Sequence, residues 1–281
     1  QSAYAVITHL DTHQYEPYLI GITPSGEWFH FSGALAKISE NTWCNPADCV
    51  QAIISPSRKA HGVLELGADQ VRLIRLDAAL PVLHGKNGED GTVQGLLELA
   101  GIPIVGCGAL CSALCMDKDR AHKLVQVAGV RTPRSIVLEN EMDAGQALEA
   151  AETIGYPLFV KPVRAGSSCG ITKVQNGQAL PGAIQLAFTH DDRVIVEESI
   201  SGFEVGCAVF GRGDLLVGEI DEIELTDGFF DFKEKYTLET SAIHVPARIP
   251  ASKSAQIKDT AKAIYRALGC TGFARVDMFL T

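Results

Sequence analysis

The stretch VKPVRAGSSCG, Val160 to Gly170, joins an apolar, strand-like run to a loop of small residues with two bases at its root. Lys161 ends the run, Pro162 stiffens the exit, and Arg164 precedes a string of glycine and serine. Backbone N–H groups in such a string can converge on an oxyanion. Glycine permits close approach and positive φ, and serine adds hydroxyl donors. On its own the stretch reads equally well as a solvated hairpin loop or as a cradle for phosphate, so the rest of the chain has to decide.

Four other patches bear on the choice. LHGKNGEDGTVQG, Leu83 to Gly95, packs one histidine, two carboxylates and four glycines after a strand. Open α/β sheets place ligands at such loops, although Asp90 or Thr92 could simply cap the helix that follows. MDKDRAHK sets Lys118 at the start of a helix, where a surface lysine would be ordinary. VEESISGFE holds Glu197 and Glu204 around a turn, suited to sugar hydroxyls but equally to a solvated rim. FARVDMF puts Arg275 and Asp277 two apart on a strand, hence on one face. They are either a salt bridge or a metal ligand beside an oxyanion donor. Two common nucleotide signatures, GxxxxGK[ST] and GxGxxG at a strand-to-helix turn, are absent.

The bulk numbers fit an ordinary soluble globular protein: 281 residues, 46% hydrophobic and 21% charged. A net charge of −10 argues against non-specific binding to nucleic acid or anionic lipid. No apolar run is long enough to span a bilayer, and no signal-peptide pattern opens the chain. The eight cysteines lie in apolar segments of a chain too large to need staples, so buried, reduced thiols in a cytoplasmic protein are expected. Cys107, Cys111 and Cys115 recur every four residues and could be drawn as a metal face. Zinc sites normally show closer ligand pairs, which speaks against it.

The first hundred residues read as mixed α/β, with a hairpin-like turn in GITPSGEW and a helix in TVQGLLELAG ending at Gly101. Strands alternating with helices predict an open, mostly parallel sheet there, with IPIVGCG as another brief strand. Helices are expected over 117–128, 142–154 and 252–268. The last is amphipathic through Ile257, Ala261, Ile264, Tyr265 and Leu268. RVIVEESI, VGCAVFG and DLLVGEIDEIEL read as antiparallel strands, making the later chain α+β. QSAYAVITHL begins as though inside a helix and FARVDMFLT stops while still a strand, so both ends read as cut.

Taken in order, the patches resemble the D-alanine–D-alanine ligase family of the ATP-grasp superfamily. The residues that carry the likeness are His84-Gly85, Gly88-Glu89-Asp90-Gly91, Gln94-Gly95, Met116-Asp117-Lys118, Lys161-Pro162, Gly166-Ser167-Ser168, Glu197, Glu204, Lys235-Tyr236 and Arg275-Val276-Asp277. Within the family the run is most similar to the VanG-type D-alanine–D-serine ligases of vancomycin resistance, through GITPSGEWFHFSG, Asn41-Thr42-Trp43, VGCG, SALCMDKDRAHK and DGFFDFKEKYTLET. Ligases that use D-lactate lack the Lys-Tyr pair in the mobile loop, so Lys235-Tyr236 argues for an amine acceptor, D-serine or D-alanine.

The resemblance implies an N-terminal α/β domain over 1–115 and two ATP-grasp subdomains over 116–195 and 196–281, the second incomplete. It implies an ATP-dependent ligase that joins D-alanine to D-serine through a D-alanyl phosphate, for altered peptidoglycan precursors. A housekeeping D-alanine–D-alanine ligase is the alternative, and another ATP-grasp carboxylate–amine ligase a more remote one. Lys118 and Lys161 would neutralise the ATP phosphates, Gly166, Ser167 and Ser168 would form a lid, and Lys235 would reach the γ-phosphate. Glu197, Glu198, Ile200 and Glu204 would hold adenine and ribose. Tyr236 would latch the mobile loop to Ser167, and Asp277 would bind Mg²⁺ or Mn²⁺. His84 and Glu89 would contact the first D-alanine, and Arg275 would stabilise the oxyanion. A homodimer in the cytoplasm is expected. The family's N-terminal glycine-rich loop and its remaining metal-ligating Glu and Asn have no counterpart here, so the expectation is a piece with little turnover.

Overall fold

A computed structural model describes residues 2–139, 144–166, 169–225 and 241–281. They pack as two units, Gln1–Val82 with Gln94–Val105, and Leu83–Val93 with Gly106–Thr281.

In the first unit, β1 (Ile20–Ile22), β2 (Trp28–Phe31), β3 (Cys49–Ile54), β4 (Gly62–Leu66) and β5 (Val71–Arg75) form one sheet in that order, every neighbour antiparallel. The expected hairpin is there, turned by Gly26 at a φ of 87°. The mostly parallel sheet is not. Connections 23–27, 55–61 and 67–70 are shorter than the roughly dozen residues a parallel crossover needs, so these strands must fold back on themselves. Parallel pairing among the described residues is a single bridge, Ala79 to Ile104, which is also all that forms of the strand expected in IPIVGCG. Helices α1 (Ser2–Thr8) and α2 (Ala36–Ser39) belong to this unit. Helix α3 (Thr92–Ala100) buries Leu97 and Ala100 and stops at Gly101, whose φ of 74° suits a residue without Cβ.

The second unit carries two sheets, each with one apolar and one polar face. The first has the order β6 (Ser135–Leu138), β9 (Val194–Glu198), β7 (Leu158–Pro162), β8 (Thr172–Val174). Leu158 and Val160 of β7 pack with Val194 and Val196 of β9 against α6 (Ala144–Ile154) and α7 (Leu180–Phe188). The period-two alternation of a strand then turns Phe159, Lys161 and Glu197 to the opposite face. Phe159 stands opposite both Lys173 and Glu197 in the ladder.

The other sheet runs β11 (Leu216–Val217), β10 (Phe203–Phe210), β12 (Asp221–Leu225), β13 (Ser241–His244), with β14 (Phe273–Leu280) also pairing β10. Val205, Cys207, Val209 and Val276 bury against Ile257, Ala261 and Tyr265 of α8 (Ala251–Ala267), the amphipathic helix foreseen from its spacing. Glu204, Gly206, Arg275 and Asp277 take the other face by the same alternation. Helices α4 (Ala109–Met116) and α5 (Lys118–Val127) meet at Asp117, whose carboxylate accepts from the Arg120 N–H and caps α5. No helix among the described residues is long and apolar enough to cross a membrane.

Candidate active site

Between the polar faces of these two sheets lies a cleft of about 640 Å³. Phe159, Lys161, Lys173 and Glu197 line it from one sheet, and Glu204, Glu222, Asp277 and Phe279 from the other. The β9–β10 connection, with Glu198, Ser199, Ile200 and Gly202, closes one end. Phe159 and Phe279 give the cleft apolar surface, and the converging charges give it the polar groups that orient a small molecule.

Lys161 bonds Glu197, its neighbour across the β7–β9 pair, and stands 5.1 Å from the Phe159 ring centroid. Glu197 is 4% exposed, and its Oε2 has no hydrogen-bond partner among the described residues. An acceptor buried in that state costs about 1–3 kcal/mol, which a donating ligand would recover.

Lys118 reaches the same region from the first turn of α5. Its Nζ donates to the carbonyls of Ala165 at 2.8 Å and Pro162 at 3.1 Å, and its backbone N–H to Val163. Among the described residues no carboxylate pairs with it. Burial, with the nearby Lys161 charge, pushes its amine down to about 8. Arg193 fixes this end of α5 by bonding Asp117 and Asp119. Arg164, the second base of the 160–170 stretch, turns away to Asp191 and Asp192. It shapes the loop and does not face the cleft.

Arg275 and Asp277 share a face as expected, Nε donating to Oδ1 at 2.7 Å, and the arginine also bonds Asp221 at 2.8 Å. Gly206 lies opposite Asp277 in the ladder. A Cβ there would come within 2.5 Å of the Arg275 guanidinium and 2.8 Å of the Asp277 carboxylate. The missing side chain is the room in which the pair sits.

The 83–91 loop lies beside the 160–170 loop: a Cβ on Gly166 would meet the Gly85 Cα at 3.1 Å. Glu89 accepts from the Gly85 N–H at 2.6 Å. Asp90 accepts from the N–H groups of Asn87 and Thr92, so the capping role foreseen for it holds. His84 is exposed on this loop.

Lys161, Glu197, Glu198, Ile200, Glu204 and Asp277 therefore meet at one cleft, with Lys118 and Arg275 bonded to its walls. Glu198 spends its side chain on Arg134, at 2.8 Å, and its backbone N–H on the Arg134 carbonyl at 2.9 Å. Ser167, Ser168, Lys235 and Tyr236 lie outside the described residues. Sequence reasoning missed Asp221 and the pair Glu222–Arg248, in which the guanidinium holds the carboxylate below its usual range. It also missed His122. This half-buried histidine sits one turn after Lys118, its Nδ1 has no partner among the described residues, and burial lowers its pKa. The spacing Lys118-x-x-x-His122 was the available signal, since i and i+4 share a helix face.

Comparison with known proteins gives these features a family. Residues 124–281 match the family model described as D-ala D-ala ligase C-terminus, and residues 1–107 match its N-terminus counterpart. The solved VanG D-Ala:D-Ser ligase from Enterococcus faecalis is 54% identical with a TM-score of 0.91, covering 100% of this chain and 81% of that one. The vancomycin B-type resistance protein VanB of Enterococcus faecalis is 44% identical over 285 residues, 100% of this chain and 80% of the relative. The vancomycin C-type resistance protein VanC1 of Enterococcus gallinarum is 42% identical over 282 residues, again 100% and 80%.

Fold and cleft thus define an ATP-dependent ligase of the ATP-grasp class, acting on small amino-acid substrates. Within that class the chain belongs to the D-alanine–D-alanine ligase family, which includes both vancomycin-resistance ligases and D-alanine–D-alanine ligases.

Proposed function

We propose that the protein joins D-alanine to D-serine in an ATP- and Mg²⁺-dependent reaction, supplying altered peptidoglycan precursors that resist vancomycin. The observation carrying this reading is the 54% identity to a D-Ala:D-Ser ligase over the whole chain. The Lys235-Tyr236 pair supports an amine acceptor. A homodimer in the cytoplasm, and subdomains at 116–195 and 196–281 flanking the cleft, belong to the same proposal.

The residues suit the steps of this chemistry. Phosphoryl transfer needs alignment and charge neutralisation more than covalent help. Lys161 and Lys118 supply two cations at the loop 162–166, the second already desolvated. Glu197 and Glu204 offer acceptors for ribose hydroxyls, and backbone groups near Glu198 and Ile200 face the adenine edge. Asp277 keeps Oδ2 clear of the Arg275 bond, and a carboxylate oxygen plus substrate phosphates is how Mg²⁺ is usually held. The ion, when bound, neutralises phosphate charge. The carboxylate of the first D-alanine, placed by His84 and Glu89, attacks the γ-phosphorus and gives an acyl phosphate. The amine of the acceptor then displaces phosphate while Arg275 stabilises the oxyanion. Lid residues Gly166, Ser167 and Ser168, with Lys235 and Tyr236, keep water from the acyl phosphate.

Phosphate release should be measured for the native enzyme with ATP, Mg²⁺ and D-alanine, adding D-serine, D-alanine or D-lactate as acceptor at one pH. The proposal expects the highest kcat/KM with D-serine. Preference for a second D-alanine would make this a housekeeping ligase, and preference for D-lactate would remove the argument from Lys235-Tyr236.

A further inference from the structure

Four cysteines outside the cleft converge on one point. Cys107 precedes α4, and Cys111 and Cys115 lie on it, four apart and so on one helical face. The spacing alone argued against a metal, because no close pair of ligands accompanied it. The fold supplies the missing partner from 155 residues or more away: the Sγ of Cys270 lies 3.2 Å from that of Cys111. The Sγ atoms of Cys107, Cys111 and Cys270 all lie within 4.8 Å of one another. Cys115 stands outside that trio but lies 3.7 Å from Cys111, within reach as a fourth ligand.

We propose that Cys107, Cys111, Cys115 and Cys270 form a structural site for a thiophilic divalent ion, zinc by the chemistry of its donors. Four thiolates around zinc at about 2.3 Å would stand about 3.8 Å apart in a tetrahedron, and Cys115 at 3.7 Å and Cys270 at 3.2 Å from Cys111 lie close to that spacing. A disulfide would use two sulfurs at about 2.05 Å and leave two idle, whereas Cys111 sits centrally, within reach of three others.

The backbone around the sulfurs is already fixed. Helix α8 ends in a Schellman turn: Gly269 is left-handed at a φ of 64°, its N–H donates to the Arg266 carbonyl, and the Cys270 N–H donates to that of Tyr265. The 106–107 and 270–273 segments touch backbone to backbone. A Cβ on Gly272 would come within 2.6 Å of the Gly106 carbonyl oxygen. Cys107 Sγ also reaches the Thr271 carbonyl at 3.2 Å. Cys111 is buried, Cys107 and Cys270 are half-buried, and exposed Cys115 leaves an entry side.

Such an ion would brace α4, which leads through Asp117 into Lys118, against the segment that starts β14 and so carries Arg275 and Asp277. One clamp would then steady elements on both sides of the cleft, and this holds whichever acceptor the enzyme uses.

The test is Co²⁺ titration of reduced, chelator-treated protein, followed by absorption. The expected result is one equivalent bound per chain, with thiolate-to-cobalt charge transfer and tetrahedral d–d bands, displaced by Zn²⁺. Cys44→Ser, at an exposed thiol outside the group, should leave the spectrum unchanged. Cys111→Ser should abolish tight binding. Cys115→Ser, at an exposed position that folding tolerates, should remove about one quarter of the charge-transfer intensity, one thiolate of four. Absence of charge transfer in the parent protein, or an unchanged spectrum in Cys115→Ser and Cys111→Ser, would overturn the site. So would a Cys111–Cys270 disulfide found by mass spectrometry in protein purified without reductant.

Discussion

Lys161 and Glu197 form an ion pair across adjacent strands, the lysine side chain 21% exposed and the glutamate 5%. The pair is asymmetric. One carboxylate oxygen is committed to the lysine, and the other has no partner among the described residues. A buried pair of this kind adds little net stability, because desolvation offsets the attraction, yet losing one member strands the other. Its value lies in holding a cation and an acceptor at fixed positions on one wall.

Replacing the lysine should therefore show two separable effects. Lys161→Ala is expected to cost roughly 2–4 kcal/mol in transition-state terms, read as a fall in kcat/KM for ATP of about thirty- to several-hundred-fold. It should also lower thermal stability, because Glu197 is left charged and unpaired. Lys161→Ala combined with Glu197→Gln should recover the stability and leave the kinetic loss in place. Unchanged kcat/KM in Lys161→Ala would reduce the 160–170 stretch to a hinge.

Gly206→Ala tests the other wall. Its backbone is ordinary strand, so the substitution carries little conformational strain, but the new methyl occupies the space of the Arg275 guanidinium. The arginine can move only by loosening its bonds to Asp277 and Asp221. A fall in kcat of about tenfold or more is expected, with a melting temperature within a few degrees of the parent. Steady-state kinetics beside a thermal melt decides it; full activity would mean that Arg275 has no fixed place in the reaction.

The depressed amine of Lys118 should make ATP binding pH-dependent if it meets the phosphates as proposed. Its pKa is about 8 in the folded protein against 10.5 for a free lysine. Above about pH 10.5 the amine is neutral in both folded and unfolded chains, so it costs the fold nothing. The cost grows as pH falls toward 8 and then stays constant at about 3 kcal/mol. A bound polyphosphate favours the charged amine, raising its pKa and drawing a proton from solvent. Calorimetry at about pH 8.5 in buffers of different ionisation heat should show net proton uptake on ATP binding, and affinity should weaken as pH rises above 8. Equal heats in all buffers would place Lys118 away from the phosphates.

Local features were legible in the sequence, and partnerships between distant segments were not. The α8 spacing, the Gly26 turn and the Asp90 cap each follow from a few neighbouring residues, and the structure has all three. Arg275 and Asp277 could be placed on one face because a strand alternates with period two. Nothing near them names Asp221, which arrives 54 residues earlier in the chain through the β10–β12 pairing. Only the glycine at 206, set in an otherwise packed strand, hinted that something approaches there. The front sheet was misjudged for a related reason: apolar runs reveal strands, but direction depends on the connections, and three of the four were too short to cross over. The thiols also departed from expectation, since Cys44, Cys115 and Cys169 are exposed.

Tyr265 gives the last test, one that separates stability from catalysis. It is 2% exposed, and its hydroxyl donates to the carbonyls of Gly211 at 2.7 Å and Gly272 at 3.2 Å. Those carbonyls belong to the turn after β10 and the turn before β14, so one hydroxyl ties α8 to both strands at one end of the pair bearing Arg275 and Asp277. Tyr265→Phe keeps the ring in its packing and deletes only the donor. The expected cost is about 1–2 kcal/mol, seen as a lower urea midpoint with an unchanged slope. Below that midpoint kcat and KM should match the parent, because the β10–β14 ladder holds its register without the hydroxyl. A kinetic loss in fully folded protein would show instead that the tyrosine fixes the position of Arg275, and that the packing of α8 is part of how the oxyanion donor is aimed.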